Sequence, residues 1–209
     1  MTTEQRILFI RHGETVGNLE QIAHGQTESP LNQRGIAQAQ ATGEEISAWD
    51  CRFDKIYTSP LSRAKDTGSI IKEKLGIPLE VVEGLIEGFL GILENATYQE
   101  LGEFGFGTKS LKDDDFSEHK GESPNQLGER IFRTVERIRD SHPGGNLIIV
   151  SHGAAIAHYL AKALKTRPAF GHQYLMHNAG ITELSFDGIN RPELVLLNQY
   201  KQIIHFYHN

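Results

Sequence analysis

Short apolar runs alternate along the chain with longer stretches that carry helical spacing. Residues 7–10 (ILFI) and 147–150 (LIIV) are unbroken apolar runs. A strand with one wet face would alternate apolar and polar residues, so an unbroken run predicts a strand buried on both faces. Residues 53–58 (FDKIYT) predict another strand and 79–82 (LEVV) a short one. A closing pair of strands is expected at 181–186 and 193–197, around Asp187-Gly188. Between these runs, Ile36, Ala39, Gly43 and Ile46 mark one face of a helix over 34–49. Ser59-Pro60 predicts a helix start, with serine as N-cap and proline at the first helical position. That helix runs to Leu75 and stops at Gly76. Leu127, Ile131, Val135 and Ile138 form the apolar stripe of a long helix over 124–141, Pro143-Gly144-Gly145 makes a turn, and another helix covers 154–164. Residues 84–122 are rich in glycine and acid and include Asp113-Asp114-Asp115. They predict an irregular excursion with one or two short helices.

Alternating strand and helix predict an α/β fold: one three-layer domain over 1–209, with a mostly parallel central sheet and helices on both faces. A chain of 209 residues fits a single domain. Ligands of such sheets bind beyond the C-terminal strand ends. Those ends carry unusual polar residues. The first closes in Arg11-His12-Gly13-Glu14-Thr15, with Asn18 close behind; the second in Thr58-Ser59-Pro60-Leu61-Ser62-Arg63; the third in Ser151-His152-Gly153. If the three strands are neighbours, two arginines and two histidines converge where helix N-termini also point, and that combination suits an anion.

A phosphate needs this kind of lining. Arginine presents a planar fork of donors that matches phosphate oxygens in pairs. A neutral histidine can attack phosphorus, and nearby arginines disfavour its protonation. Its other ring nitrogen needs an acceptor, such as a backbone carbonyl, to fix the tautomer. The formal net charge of -6 argues against general nucleic-acid binding, which needs a basic excess, but allows a small phosphate pocket. Cys51 is the one cysteine, so no intrachain disulfide forms and no zinc-site spacing exists. No HExxH pattern occurs either, and no metal or other cofactor is expected. His205 and His208 in the tail read as structural or exposed. No signal-peptide core or membrane span is read from the sequence, and a cytoplasmic location is expected.

The segments RHGETVGN at 11–18, GQTESPLNQRG at 25–35, YTSPLSRAKDT at 57–67, GES at 121–123, VSHG at 150–153 and NAGITEL at 178–184 appear in a recognisable order. With them the chain resembles the histidine phosphatase superfamily, in the phosphoglycerate mutase-like branch. The resemblance implies the three-layer fold and a phosphohistidine at His12. It implies that Arg11, Arg63 and His152 hold the phosphoryl oxygens, with Asn18 and Gly153 in the phosphate pocket and His152 donating to a phosphoryl oxygen. It favours Glu87, in LIEGFLGILEN at 85–95, as the general acid that an alkoxide leaving group requires; Glu83 and Glu94 are the alternatives. Gln26 and Thr27 would face the substrate. Departures from the family pattern are Leu93 for tryptophan, Asn95 for glycine, Glu28 for aspartate and Asn32 for threonine.

The activity so implied is hydrolysis of small phosphomonoesters by a metal-independent phosphatase. A cofactor-dependent phosphoglycerate mutase is the alternative. Mutases of the family carry a longer, basic insertion before the segment matching GES, whereas 96–120 here is short. A third possibility is an inactive phosphate-binding or interaction module, which loss of the nucleophile or second histidine would mark; both are present. The expected partner is a small phosphorylated metabolite, without nucleic acid or membrane, for a monomer or homodimer.

Overall fold

The computed structural model describes residues 5–187 and 192–199. Gly188 of the expected closing turn lies outside them, as do His205 and His208. Six strands form one sheet: β1 (Gln5–Arg11), β2 (Lys55–Thr58), β3 (Leu79–Val81), β4 (Leu147–Ser151), β5 (Ile181–Phe186) and β6 (Glu193–Gln199). Their order is β3-β2-β4-β1-β5-β6. The first four strands are mutually parallel; β5 runs antiparallel to β1, and β6 antiparallel to β5.

The unbroken apolar runs have the expected cause. Along β1 and β4, Ile7, Phe9, Leu147 and Ile149 face one layer of helices, with Leu127, Ile131, Tyr159 and Leu160. Leu8, Ile10, Ile148 and Val150 face the other, with Ile46, Ala64 and Ile71. Successive residues point to opposite faces of a strand, so a sheet covered on both sides needs both sets apolar. The first layer is α6 (Pro124–Asp140) with α7 (Gly153–Ala163); the second is α2 (Gln33–Ser47) with α3 (Ser62–Leu75). A short α1 (Val16–Leu19) follows β1.

Two helix starts differ from the sequence pattern. In α2 the inner face holds Gly35, Gln38, Ala39, Thr42, Gly43 and Ile46, while Ile36 is exposed. Gly35 takes the inward position because a Cβ there would run into the Glu14 backbone. Asn32 caps α2, its side chain accepting from Gly35 N at 2.8 Å. The helix α3 begins at Ser62, so Ser59 is not its N-cap and Pro60 is not its first residue. Glu28 supplies the cap from outside, accepting from Ser62 N at 3.1 Å. Ser59 is thereby free for the site. Gly76, at φ 69°, ends the helix in the left-handed conformation that glycine adopts without strain.

The excursion between β3 and α6 holds two short 3-10 turns, Glu83–Leu85 and Gly91–Leu93, then α4 (Tyr98–Phe104) and α5 (Phe106–Lys112). A further 3-10 segment, Pro168–Tyr174, follows α7 without having been anticipated. No helix among the described residues is long and apolar enough to cross a membrane.

Candidate active site

The sheet order puts β4 between β1 and β2, so the three polar strand ends are neighbours. Arg11 pairs in register with Ser151, and Thr58 with Val150. Above them opens a cavity of about 250 Å³, lined at its inner end by Arg11, His12, Asn18, Arg63 and Glu87.

His12 is buried, and its Nδ1 meets Gly13 O at 2.8 Å. A carbonyl only accepts, so Nδ1 carries the proton and Nε2 keeps its lone pair. Burial pushes the His12 pKa well below the ordinary histidine value, and the Arg11 and Arg63 charges push it the same way. The ring is therefore neutral and nucleophilic. Gly13 and Gly35 let the loop and α2 approach closely; a Cβ on Gly13 would strike Gly35 O.

Arg11 donates from Nη1 to Met176 O at 2.6 Å, while its buried Nε has no partner. An orphaned guanidinium N–H at a strand end is the mark of an anion site. Arg63 donates to Thr27 O (2.8 Å), Gly25 O (2.6 Å) and His152 Nδ1 (3.2 Å). A guanidinium has five N–H donors, so two remain for a ligand. Asn18 lines the cavity; its Oδ1 accepts from Asn178 Nδ2 at 3.0 Å, which leaves its own amide donors free. Asn178 also donates to His12 O, tying the two loops together. Its role was not drawn from NAGITEL at 178–184; the clue was an asparagine that follows no strand or helix pattern.

His152 sits differently from its expected role. It is fully buried and does not line the cavity; its ring centroid is 5.2 Å from that of His12. Its Nδ1 accepts from Arg63 and its Nε2 lies 2.7 Å from Ser59 Oγ, so Nε2 carries the proton. Burial first, then Arg63, keeps its pKa well below the ordinary value. Both nitrogens are spent, and in this arrangement His152 orients Arg63 rather than offering an N–H to a phosphoryl oxygen. Gly153 likewise lies outside the cavity lining and packs against the Arg11 guanidinium.

Of the three candidate acids, Glu87 alone reaches the cavity. Glu83 is exposed outside it, and Glu94 clamps a loop by accepting from Gln26 N and Leu90 N. Glu87 Oε1 accepts from Gly88 N and Ala155 N, both at 2.8 Å, and Oε2 from Ala154 N at 3.1 Å. The N-terminus of α7 thus holds this carboxylate and not a phosphate. Each carboxylate oxygen accepts about two bonds, so Oε2 keeps one acceptor site open.

Gln26 and Thr27 do not line the cavity. Gln26 Nε2 donates to Glu87 O at 2.9 Å, and Thr27 Oγ1 to Asn95 Oδ1 at 2.8 Å. Both are tied into the loop that supports Arg63 and Glu87. The outer cavity wall comes from the excursion: Tyr98, Leu101, Phe106 and Phe116.

Fold and site together define a phosphate-binding α/β domain with an activated imidazole beside two guanidinium groups. The histidine phosphatase superfamily (branch 1) matches residues 7–200, and the chain belongs to this family. The uncharacterized phosphatase PhoE of Bacillus subtilis is 35% identical over 72% of this chain and 72% of its own length. A probable phosphoglycerate mutase, GpmB of Cronobacter sakazakii, is 29% identical over 87% of this chain and 85% of its own. The structure of phosphoserine phosphatase from Entamoeba histolytica, in complex with 3-phosphoglyceric acid, superposes with a TM-score of 0.84 at 28% identity, covering 95% of this chain and 99% of that one.

Proposed function

We propose that the protein is a phosphatase that hydrolyses small phosphomonoesters through a phosphohistidine on His12, with Glu87 as its acid and base. The whole chain, 1–209, acts as one domain, in the cytoplasm, as a monomer or homodimer. The observation that supports this reading most is the His12 tautomer: Nδ1 is bonded to Gly13 O, and Nε2 is unprotonated beside Arg11 and Arg63.

In the first step the Nε2 lone pair forms a bond to phosphorus as the ester P–O bond breaks. Glu87 Oε2 gives its proton to the departing oxygen, sparing the release of an alkoxide. In the second step a water oxygen bonds phosphorus, the N–P bond breaks, and Glu87 takes the water proton. Arg11 and Arg63 carry the negative charge of the phosphoryl oxygens throughout; preorganised donors of this type are each worth about 100- to 1000-fold in rate. Asn18 adds a neutral donor at the same pocket.

The mutase alternative would need further cations to hold a substrate carboxylate and to retain the phosphoryl group. Among the described residues lining the cavity, Arg11 and Arg63 are the only arginines or lysines. Phosphate release from 4-nitrophenyl phosphate in excess chelator, compared between wild type and His12→Ala, tests the reading. Chelator-resistant turnover lost in the variant is expected. Turnover that survives the substitution would remove His12 as nucleophile.

A further inference from the structure

We propose that the outer half of the cavity selects an uncharged, apolar organic group of about one aromatic ring, so that the substrates are hydrophobic phosphomonoesters rather than phosphorylated acids. This deepens the phosphatase reading above and rests on it.

The outer wall is mainly apolar. Leu101 of α4, Phe106 of α5 and Leu127 of α6 line it, with Phe116 and His119 from the connecting segment. Phe106 stands edge-on to His119 at 5.0 Å between centroids, and Phe116 stacks on His119 at 5.3 Å. Aromatic faces at this spacing attract a further ring by stacking and by removing it from water. Size also fits. An apolar cavity of roughly 150 Å³ is enough for benzene, and this one offers about 250 Å³ for ring and phosphoryl group together.

Charge points the same way. Among the described residues, no arginine or lysine lines the cavity beyond the two at the phosphate end. Burial lowers the pKa of His119 and of His158, which keeps both neutral, and the third histidine of the wall, His24, packs its Nε2 edge against Gly17 and is bonded through Nδ1 to Asn95 Oδ1 at 3.0 Å. The other carboxylate of the wall, Glu122, stays ionised: burial alone would raise its pKa, but the Arg130 guanidinium grips both its oxygens at 2.7 Å and holds it down. Arg130 is used up there and on the Gly84, Ile86 and Glu87 carbonyls. A substrate carboxylate would therefore lose water without gaining a cation, which is costly. A neutral polar group costs far less to desolvate than a carboxylate.

The test compares alkyl phosphates, whose alkoxide leaving groups are similar, so that differences report binding. Wild-type kcat/KM for 2-phenylethyl phosphate should exceed that for glycerol 3-phosphate and 3-phosphoglycerate by about thirtyfold, the scale set by burying a ring-sized apolar surface. Leu101→Arg, or Tyr98→Arg at the more exposed rim should either variant fold poorly, should shrink the gap to 3-phosphoglycerate below about threefold. Calorimetric binding of the same three compounds to His12→Ala gives a readout free of turnover and should show the same preference. Equal or better use of 3-phosphoglycerate by the wild type, or equal binding of all three, would overturn the proposal even if hydrolysis is robust. A binding preference without any hydrolysis would keep the proposal and sink the phosphatase reading.

Discussion

The inner and outer halves of the cavity are made by different means. The inner half stands on the ends of β1, β2 and β4, where His12, Arg63 and His152 are buried and each side chain is anchored by a backbone carbonyl, a hydroxyl or a neighbouring ring. The outer half stands largely on α4 and α5, two helices of seven residues each with no buried residue of their own, closed by buried Phe116 and His119 and by Leu127 of α6. Sheet and packed core fix the first to the precision that bond-making needs. Short helices without strand pairing leave the second open to change without loss of the fold. One half does chemistry, and the other chooses what the chemistry is done to.

If that division holds, substitutions in the inner half should cost rate steeply and those in the outer half should redirect it. The largest effect is expected at His12. His12→Ala should lower kcat by at least about 10⁴-fold, as losing a nucleophile does elsewhere, measured by phosphate release. Glu87→Gln should follow, with kcat down by about 10²- to 10⁴-fold on an alkyl phosphate. The loss should be much smaller on 4-nitrophenyl phosphate, whose leaving group needs no proton. Glu83→Gln, at an exposed position outside the cavity, should change neither substrate by more than about twofold. An equal loss on both esters in the Glu87 variant would make that carboxylate a structural clamp of α7 instead of an acid.

Ser59→Ala should be gentler. It removes the partner of His152 Nε2 and so loosens Arg63 by one step. A fall of about tenfold in kcat/KM, the scale of lost positioning partners, should be largely rescued by Ser59→Thr. The smallest expected effect lies in stability. His12 and His152 are both held neutral with folded-state pKa values well below 6.5. The unfolded chain takes up these protons first. Stability should therefore fall as pH drops below about 6.5, by at most about 1.4 kcal/mol per pH unit for each histidine, and level off below the folded pKa. His152→Asn should flatten this slope in denaturant titrations between pH 6.5 and 4.5.

The two halves were also unequally legible in the sequence. ILFI, LIIV and the polar residues that end them could be read because burial on both faces leaves no room for any other pattern. The carbonyl acceptor for His12 was expected on tautomer grounds, and Gly13 O supplies it. Side-chain partners set by distant loops could not be read. Ser59 resembles an N-cap in sequence, yet Glu28 caps α3 and Ser59 serves His152. Gln26 and Thr27 stand in a motif beside the site, yet their groups are bonded to Glu87 O and Asn95. Which side chains of the acidic, glycine-rich stretch make the outer wall could not be read, since Tyr98, Leu101, Phe106 and Phe116 converge only through its folding.

The central claim is a covalent phosphoryl group on His12. The most direct measurement is rapid quenching of the wild-type enzyme during turnover of a 2-phenylethyl phosphate labelled in its phosphoryl group, in alkali, followed by peptide mapping. The account predicts acid-labile, alkali-stable label on the peptide that contains His12, formed at least as fast as kcat and absent from His12→Ala. Label on another residue, or steady turnover with no labelled protein and undiminished activity in His12→Ala, would contradict it.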